Sequence, residues 1–320
     1  MESFADKLAA ITGAGSGMGR ELAVQLAAEG CHLALCDLTE DGLAETRSQC
    51  AEANPQVRVS THVCDVTDEE SVLAFRDALL AAHDADALNL VFNNAGIGGG
   101  RSFIADDRAD WDRTFAVCWT GVYYVARALL PLLIASKEGH LVNTSSVNGF
   151  WASLGTKVPQ TAYAAAKFAV KGFSEALIND LRLHAPHVKV SVVMPGHIGT
   201  DIASNTRTVL GKSEEMSAEE VAVLRAQLIA AGRPVDNLPD DAIREAVRQR
   251  IERFRHGAPT SAGQAATIIL TGVREGRWRI LVGEDAVELD ARVRAAPEEA
   301  YEPEFLEPIM AEGHFTALID

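Results

Sequence analysis

The sequence predicts an α/β protein built on a parallel β-sheet with helices on both faces. Over the first two hundred of its 320 residues, short apolar runs alternate with amphipathic stretches, a pattern typical of βαβ units. The apolar runs are nearly continuous in Val, Leu, Ile and Ala, as expected for strands that are covered on both sides. We therefore predict a doubly wound sheet of about seven strands, with residues 1–320 forming one domain.

Seven apolar segments are the predicted strands. They are Leu8–Thr12, His32–Cys36, Val57–Cys64, Leu88–Phe92, His140–Thr144, Lys189–Met194 and Trp278–Val282. A helix is predicted from Met18 to Gly30, with Leu22 and Leu26 on one face. Another should begin at Thr67–Glu70, which has the pattern of a capping box.

The pattern changes after the sixth predicted strand, between Thr200 and Pro259. One helix should begin at the capping box Ser217–Glu220 and run to Gly232. A second should follow Pro239 and Asp240, with an apolar stripe at helical spacing. That stripe consists of Ile243, Val247, Ile251 and Phe254. We expect residues 201–258 to form a helical insert that covers a substrate cleft; a subunit contact or a surface excursion without a role are the alternatives. Residues 284–320 form a C-terminal extension that either docks or frays.

The composition excludes several classes of protein. Hydrophobic residues make up 48% and charged residues 23%, which excludes a disordered chain, a collagen-like fibre or a coiled coil. The formal net charge of −16 disfavours binding to nucleic acid or to an anionic membrane. No apolar run approaches the roughly 18 residues of a membrane span, and the N-terminus does not resemble a signal peptide. Five cysteines without paired spacing are typical of a reducing compartment, so we expect a cytoplasmic protein. His184 and His187 lack further ligands at metal-binding spacing, so no metal site is expected.

A glycine-rich turn joins the first predicted strand to the first helix. It reads Thr12-Gly13-Ala14-Gly15-Ser16-Gly17-Met18-Gly19. Glycines allow the backbone to turn tightly and to approach a pyrophosphate, which the amides and dipole at a helix N-terminus stabilise. The position of the turn between strand and helix predicts a Rossmann-like dinucleotide site.

Asp37 ends the second predicted strand, 18 residues after Gly19. A carboxylate at this place accepts hydrogen bonds from the hydroxyls of the adenosine ribose and repels a 2′-phosphate. The next residue, Leu38, supplies no compensating positive charge. The sequence therefore favours NAD over NADP.

Tyr163 and Lys167 stand four residues apart in a helical stretch, which places their side chains on one face. An ammonium group beside a phenol favours the phenolate and lowers the pKa of the tyrosine. Ser146 follows the strand His140–Thr144, and the carboxyl ends of parallel strands are where α/β sites assemble. These three residues are candidate catalytic residues.

With these motifs in order, the sequence resembles the short-chain dehydrogenase/reductase family over about residues 5–200 and the strand near 280. The resemblance implies that Tyr163 is the general acid/base, that Lys167 tunes it and binds the nicotinamide ribose, and that Ser146 binds the substrate oxygen. It also implies an NAD-binding surface around the glycine turn and the strand ends. Its expected members are Gly13, Ser16, Gly17, Met18, Gly19, Asp37, Leu38, Asp65, Val66, Asn93, Ala95, Gly96, Tyr163, Lys167, Pro195, Gly196, Ile198 and Thr200.

Two features depart from the family's pattern. Cys118 stands where the family usually has an asparagine that helps to hold a water in the proton relay, and a thiol is a poorer hydrogen-bonding group. We expect a buried, inert cysteine rather than a nucleophile. The interval from Ser146 to Tyr163 is a few residues longer than usual, with Leu154–Gln160 as the expected insertion and Ser145 as the alternative serine.

The expected activity is interconversion of a hydrophobic secondary alcohol and its ketone. The resemblance implies a pocket that is mostly apolar or aromatic, lined by Ile97, Asn148, Phe150, Trp151, Leu154, His197 and Ile202. It also implies a homodimer or homotetramer formed through the helices that contain Cys118 and Tyr163. Two other functions stay open: a catalytically impaired NAD-binding or scaffold protein, suggested by Cys118, and a reductase of an acyl thioester bound by Arg248 and Arg255. A solvated helix face is the other interpretation of those arginines.

Overall fold

A seven-stranded parallel sheet forms the centre of the molecule. The computed structural model describes residues 1–153, 159–213, 215–230 and 232–311. The strands of this sheet are β1 (Leu8–Thr12), β2 (His32–Asp37), β3 (Val59–Val63), β4 (Leu90–Asn93), β5 (Gly139–Thr144), β6 (Val188–Pro195) and β9 (Arg279–Val282). They lie in the order β3-β2-β1-β4-β5-β6-β9, and every pairing is parallel. The predicted doubly wound Rossmann-like fold is confirmed. Its strand order reverses between β1 and β4, where such sheets open a ligand-binding crevice.

The helices connect these strands and cover both faces of the sheet. The helices are α1 (Gly17–Ala28), α2 (Glu40–Ala53), α3 (Glu69–His83), α4 (Arg108–Phe115), α5 (Gly121–Ala135), α6 (Thr161–His184), α7 (Ile202–Val209), α8 (Ala218–Ala230), α9 (Asp240–His256), α10 (Ala262–Glu275), α11 (Glu284–Ala295) and α12 (Glu307–Ala311). A π-helical segment, Ala116–Thr120, joins α4 to α5. Short 3-10 helices occupy Val147–Gly149 and Pro303–Leu306.

The continuous apolar character of the strands follows from burial on both faces. All five residues of β1 are buried. Ala9 and Ile11 belong to one core cluster with residues of α1 and α10. Leu8 and Ala10 face the opposite cluster, which contains residues of α3, α5 and α6. Alternating side chains thus enter two separate cores, so neither face tolerates polar residues.

One predicted capping box is wrong and the other forms. The N-cap of α3 is Asp68, whose carboxylate accepts a hydrogen bond from the Glu70 amide. The Thr67 hydroxyl has other partners: it donates to Asp65 Oδ1 at 2.8 Å and accepts from Arg113 Nη1 at 2.5 Å. Before α8, the Ser217 amide donates to Glu220 Oε2 at 2.8 Å, and the Glu220 amide donates to Ser217 Oγ at 3.1 Å.

The segment 201–258 contains three described helices rather than the two that were predicted. The additional helix, α7, is rich in Ser, Asn and Thr, which are weak helix formers, so its sequence gives no periodic signal. Behind α9, the two-residue strands β7 (Ile198–Gly199) and β8 (Thr260–Ser261) pair in parallel. This pairing brings the two ends of the insert together.

Residues Arg108–Ala135 form one continuous helical run. Within the described residues it is one helix that could cross a bilayer by length and composition alone, and 50% of its most apolar window is buried inside the protein. Arg127 and Pro131 interrupt the run in the sequence but not in the helix. Its buried residues, which include Val125 and Leu129, pack in the core beside the sheet.

Candidate active site

The glycine turn between β1 and α1 has the conformation that a phosphate cradle requires. Gly13 and Gly17 have φ angles of +65° and +51°, which L side chains rarely adopt. A Cβ on Gly13 would also lie 2.8 Å from the Ala95 Cα. Helix α1 begins at Gly17, so its amide end faces the turn. These residues fit the pyrophosphate of a dinucleotide.

Asp37 is held at the edge of this turn by backbone amides. Its carboxylate accepts hydrogen bonds from the amides of Gly15 at 2.9 Å, Leu38 at 2.7 Å and Thr39 at 3.3 Å. The side chain of Leu38 is 40% exposed and adds no charge. The carboxylate therefore has a fixed orientation, and Oδ2, which accepts from the Gly15 amide, keeps a lone pair that suits a ribose hydroxyl.

The end of β4 is tied to the glycine turn through Thr12. The amides of Asn94 and Ala95 both donate to Thr12 Oγ1 at 3.0 Å. Asn93 is buried and donates from Nδ2 to Asn143 Oδ1 at 2.8 Å. The side-chain amide of Asn93 thus joins β4 to β5, and it is buried rather than exposed at the surface of the site.

Asp65 follows β3, and its carboxylate is hydrogen-bonded to other groups of the protein. Its carboxylate accepts from the Thr67 amide at 2.9 Å and from Arg113 Nη2 at 2.8 Å. Partial burial acts to raise the pKa of Asp65, but these hydrogen bonds hold it below its usual value. The adjacent Val66 packs against Gly121, where a Cβ would lie 2.7 Å from Val66 Cγ2. The Asp65 side chain is therefore an anchor for α4, and contact with adenine stays a prediction.

Ser146, Tyr163 and Lys167 come together at the carboxyl end of β5. The Ser146 hydroxyl lies close enough to the phenolic oxygen of Tyr163 to influence its pKa. Lys167 Nζ lies 5.4 Å from the centre of the Tyr163 ring and donates to the Thr144 carbonyl at 2.8 Å. Ser145, by contrast, donates its hydroxyl to the Lys167 carbonyl at 2.7 Å. Of the two serines, Ser146 is the one at the tyrosine.

Burial changes the acid–base properties of this group of residues. It raises the pKa of Tyr163 well above the ordinary value, whereas the nearby Ser146 hydroxyl acts to lower it. Burial also lowers the pKa of Lys167, which is 2% exposed. The lowered pKa predicted from the charge of the lysine is wrong, because that prediction left out the cost of desolvating the phenolate. Burial of the phenol has the largest effect on the pKa of Tyr163.

Cys118 is fully buried in the π-helical segment beside these residues. Its thiol donates to the Ile97 carbonyl at 3.2 Å. A Cβ built on Gly96 would lie 3.5 Å from Lys167 Nζ and 3.9 Å from Cys118 Sγ, so both groups flank Gly96. The sequence placed no basic group beside Cys118, but the fold brings Lys167 close to it. The cysteine is buried, as expected, and lies within the site rather than behind it.

Helix α7 connects the cofactor turn to the segment after β4. Asn205 Nδ2 donates to Ser16 Oγ at 3.0 Å, and the Gly98 amide donates to Thr206 Oγ1 at 2.8 Å. Thr200 approaches Gly17, with its Cγ2 3.3 Å from the position of a Cβ on that glycine. Sequence reasoning missed Asn205 and Thr206, because no pattern distinguishes them from other polar residues of a loop.

The segment between β6 and α7 is fixed by α9 and α11. The His197 amide donates to Asp285 Oδ2 at 2.6 Å, and its ring nitrogen Nε2 bonds to the Phe254 carbonyl at 2.7 Å. Gly196 donates to the Val282 carbonyl at 2.9 Å and has no space for a Cβ, which would lie 2.3 Å from Asp285. Pro195 ends β6, and Ile198 is buried in the core on β7.

Most residues expected to line the substrate pocket have other partners. Ile97, Asn148, Trp151 and His197 are buried, with exposed fractions of 2%, 3%, 2% and 3%. Phe150 is half-buried and lies 5.8 Å from the Arg279 guanidinium. Ile202 is half-buried at the start of α7, and Leu154 lies outside the described residues.

Comparison with known proteins agrees with this geometry. The family model for short chain dehydrogenase matches residues 7–210. The oxidoreductase SadH of Mycobacterium tuberculosis is 36% identical over 92% of both chains, and levodione reductase of Leifsonia aquatica is 33% identical over 68% of this chain and 79% of its own length. A Burkholderia phymatum short-chain dehydrogenase/reductase in complex with NAD superposes with a TM-score of 0.76 at 28% identity, over 95% of this chain and 98% of its own. Other structural relatives include a complex with NADP.

The matched region contains the glycine turn, the end of β4 and the group of Ser146, Tyr163 and Lys167. The seven-stranded sheet and its strand order agree with this match. The chain is an oxidoreductase that belongs to the short-chain dehydrogenase/reductase family.

Proposed function

We propose that this protein is an NAD(H)-dependent oxidoreductase that interconverts a hydrophobic secondary alcohol and its ketone. The observation that supports this most directly is the convergence of three groups: Ser146 lies beside the phenol of Tyr163, and Lys167 Nζ lies 5.4 Å from the tyrosine ring. A phenol, a hydroxyl and an ammonium group that converge at one strand end can bind an oxygen and exchange a proton with it. A relative named levodione reductase is consistent with ketone reduction.

The residues of this chain would divide the work as follows. The glycine turn and Asp37 would hold the dinucleotide, and Lys167 would lie at its nicotinamide end. When bound, the nicotinamide supplies or accepts the hydride. Ser146 would donate a hydrogen bond to the substrate oxygen, and Tyr163 would take its proton in oxidation or return it in reduction. Helix α7 would exclude water from the cleft through its contacts at Ser16 and Gly98.

A hydrophobic substrate is supported by the apolar surroundings of the segment after β4. Gly99 lies against Leu210, whose Cδ1 would be 3.2 Å from a Cβ on that glycine. Leu210 and Val209 pack on the second core cluster. The arginines considered for an acyl thioester have carboxylate partners: Arg248 with Glu245 and Arg255 with Asp201. Because both arginines are engaged in ion pairs, reduction of an acyl thioester is less well supported than reduction of a hydrophobic ketone.

The direct test follows nicotinamide absorbance with a panel of hydrophobic secondary alcohols and ketones, with NAD(H) and with NADP(H). We expect turnover of uncharged cyclic or aryl compounds. Turnover of small charged hydroxy acids alone would contradict the substrate class. Binding of NADH without turnover of any compound in the panel would favour the impaired or scaffold alternative.

Replacing Asp37 with alanine tests the proposed preference for NAD. Loss of hydrogen bonds to a carboxylate should reduce kcat/KM for NAD about tenfold or more, and removal of the negative charge should raise kcat/KM for NADP. Steady-state kinetics with both cofactors measure the change. Asp41→Ala, at an exposed position in the first turn of α2, changes the net charge equally and should leave the ratio unaltered. An unchanged ratio in Asp37→Ala would contradict the assignment.

Replacing Ser146 and Ser145 separately tests which serine binds the substrate. Ser146→Ala should lower kcat about 100-fold, since it removes a donor to the reacting oxygen. Ser145→Ala removes a hydroxyl that bonds to the backbone of α6, so its larger effect should be on Tm. Paired measurements of kcat and Tm decide between them. A greater loss of kcat in Ser145→Ala would reverse the assignment.

A further inference from the structure

The residues from Ser146 to Ser153 form one internally braced unit. The Asn148 amide donates to Ser146 Oγ at 3.2 Å, and the Trp151 amide donates to the Val147 carbonyl at 2.9 Å. The Asn148 side chain spans the unit, since its Nδ2 donates to the carbonyls of Trp151 at 3.1 Å and Ser153 at 2.9 Å. A shift at the outer end of this unit would therefore move Ser146 at its inner end.

The outer end is held by residues 296–306, which we call the C-terminal clamp. Trp151 Nε1 donates to the Ala300 carbonyl at 2.6 Å, and the Ala152 amide donates to Tyr301 Oη at 3.1 Å. The Trp151 and Phe305 rings lie 6.1 Å apart. The clamp and the braced unit share one apolar cluster with α11, formed by Val147, Trp151, Ala286, Leu289, Ala300, Phe305 and Leu306.

These contacts differ in kind from those of a substrate pocket. Trp151 is 2% exposed and its only polar atom is engaged by the clamp, so the indole is not available to a ligand. Tyr301 is 57% exposed, yet its hydroxyl accepts the hydrogen bond of a backbone amide. A solvent-accessible tyrosine that uses its hydroxyl in this way contributes little apolar burial and mainly fixes geometry.

We infer that the C-terminal clamp positions Ser146 against Tyr163, with Trp151 and Tyr301 as its positioning residues. The inference rests on the proposed function, because it assigns the clamp a role in that reaction. The clamp lies about 150 residues from Ser146 in the sequence. It contacts residues 151 and 152 through two hydrogen bonds and shares one apolar cluster with Trp151. It stabilises the contact between the serine hydroxyl and the phenol that the reaction requires.

The test uses Tyr301→Phe and Trp151→Phe in the full chain: the first removes only the hydroxyl and keeps the ring, and the second removes the indole N–H together with one of the two fused rings. Both should lower kcat/KM about threefold to tenfold, the effect of one hydrogen bond, while the dissociation constant of NADH stays within twofold. Tyr123→Phe and Trp278→Phe change rings that are 40% and 45% exposed elsewhere, and they serve as matched controls.

The pH profile supplies a readout that a loss of stability alone would not move. The Ser146 hydroxyl acts to lower the pKa of Tyr163, so a displaced serine should shift the alkaline rise of kcat/KM for oxidation to higher pH. The other titratable groups that face the phenol, Lys167 on α6 and Cys118 on the preceding helix, are unchanged in these variants. An unshifted profile in both variants would overturn the inference.

Amide hydrogen exchange separates failure of this inference from failure of the proposed function. In Tyr301→Phe, the Ala152 amide loses its acceptor, and peptides covering 146–153 should exchange faster even if no substrate is found. Exchange at the wild-type rate would show that the clamp does not fix this segment. Faster exchange with unaltered kcat/KM and pH profile would show that the clamp is only structural. Either result overturns the inference without affecting the assignment of Tyr163.

Discussion

Replacing Tyr163 with phenylalanine is expected to lower kcat about 1,000-fold in either direction of the reaction, within the range that general acid–base catalysis contributes. The change removes one oxygen atom and keeps the aromatic ring that packs against the second core cluster. It leaves the glycine turn, Asp37 and Lys167 in place, so NADH should bind with nearly unchanged affinity. Stopped-flow kinetics with NADH fluorescence measure the chemical step and the binding separately.

The pH dependence of the wild-type enzyme provides a second test of Tyr163. Because burial raises the pKa of this phenol, the phenolate needed for alcohol oxidation forms only as the pH increases. Oxidation should therefore accelerate with pH, whereas ketone reduction, which needs the protonated phenol, should not. Tyr163→Phe should abolish that dependence in its residual rate. A variant with wild-type kcat, or one that retains the same pH profile, would exclude Tyr163 as the general acid/base.

The fold could be predicted from sequence because each strand carries its own local signal. All five residues of β1 are buried, and burial on both faces forces the continuous apolar run that marks the strand. Helix α7 had no such signal, since its stability comes from contacts of Asn205 with Ser16 and of Thr206 with Gly98. Those contacts join segments that are more than a hundred residues apart, so local propensity does not encode them.

The candidate site divides in a similar way. The glycine turn, Asp37 and the pair of Tyr163 and Lys167 are short motifs whose spacing reflects the geometry of a turn or a helix face. Whether a residue lines the pocket depends on the direction in which its side chain points in the loop after a strand. The family resemblance implies that Trp151 lines the substrate pocket, since it lies in the segment after Ser146. Its indole instead bonds to Ala300, a partner 149 positions away.

Replacing Lys167 with methionine should lower kcat/KM for oxidation about 100-fold and move the alkaline rise of its pH profile to higher pH. Methionine fits a site that is 2% exposed, so the fold should survive, but the donor to the Thr144 carbonyl and the positive charge are lost. A cation near the phenol favours the phenolate, and its removal therefore raises the pKa of Tyr163 further. Rates measured across the pH range with saturating NAD report both effects.

The matched control lies one turn further along the same helix. Lys171 pairs with Glu175 at 2.9 Å, so its charge is already engaged and Lys171→Met should leave the pH profile unaltered. Lys167→Arg should fail to restore the wild-type rate, because a planar guanidinium cannot occupy the space of a compact ammonium group against the Thr144 carbonyl. If Lys167→Met kept the wild-type rate and profile, the charge would have no part in activating Tyr163. The ammonium group would then serve only to join α6 to β5, and the Ser146 hydroxyl would remain as the group that favours the phenolate.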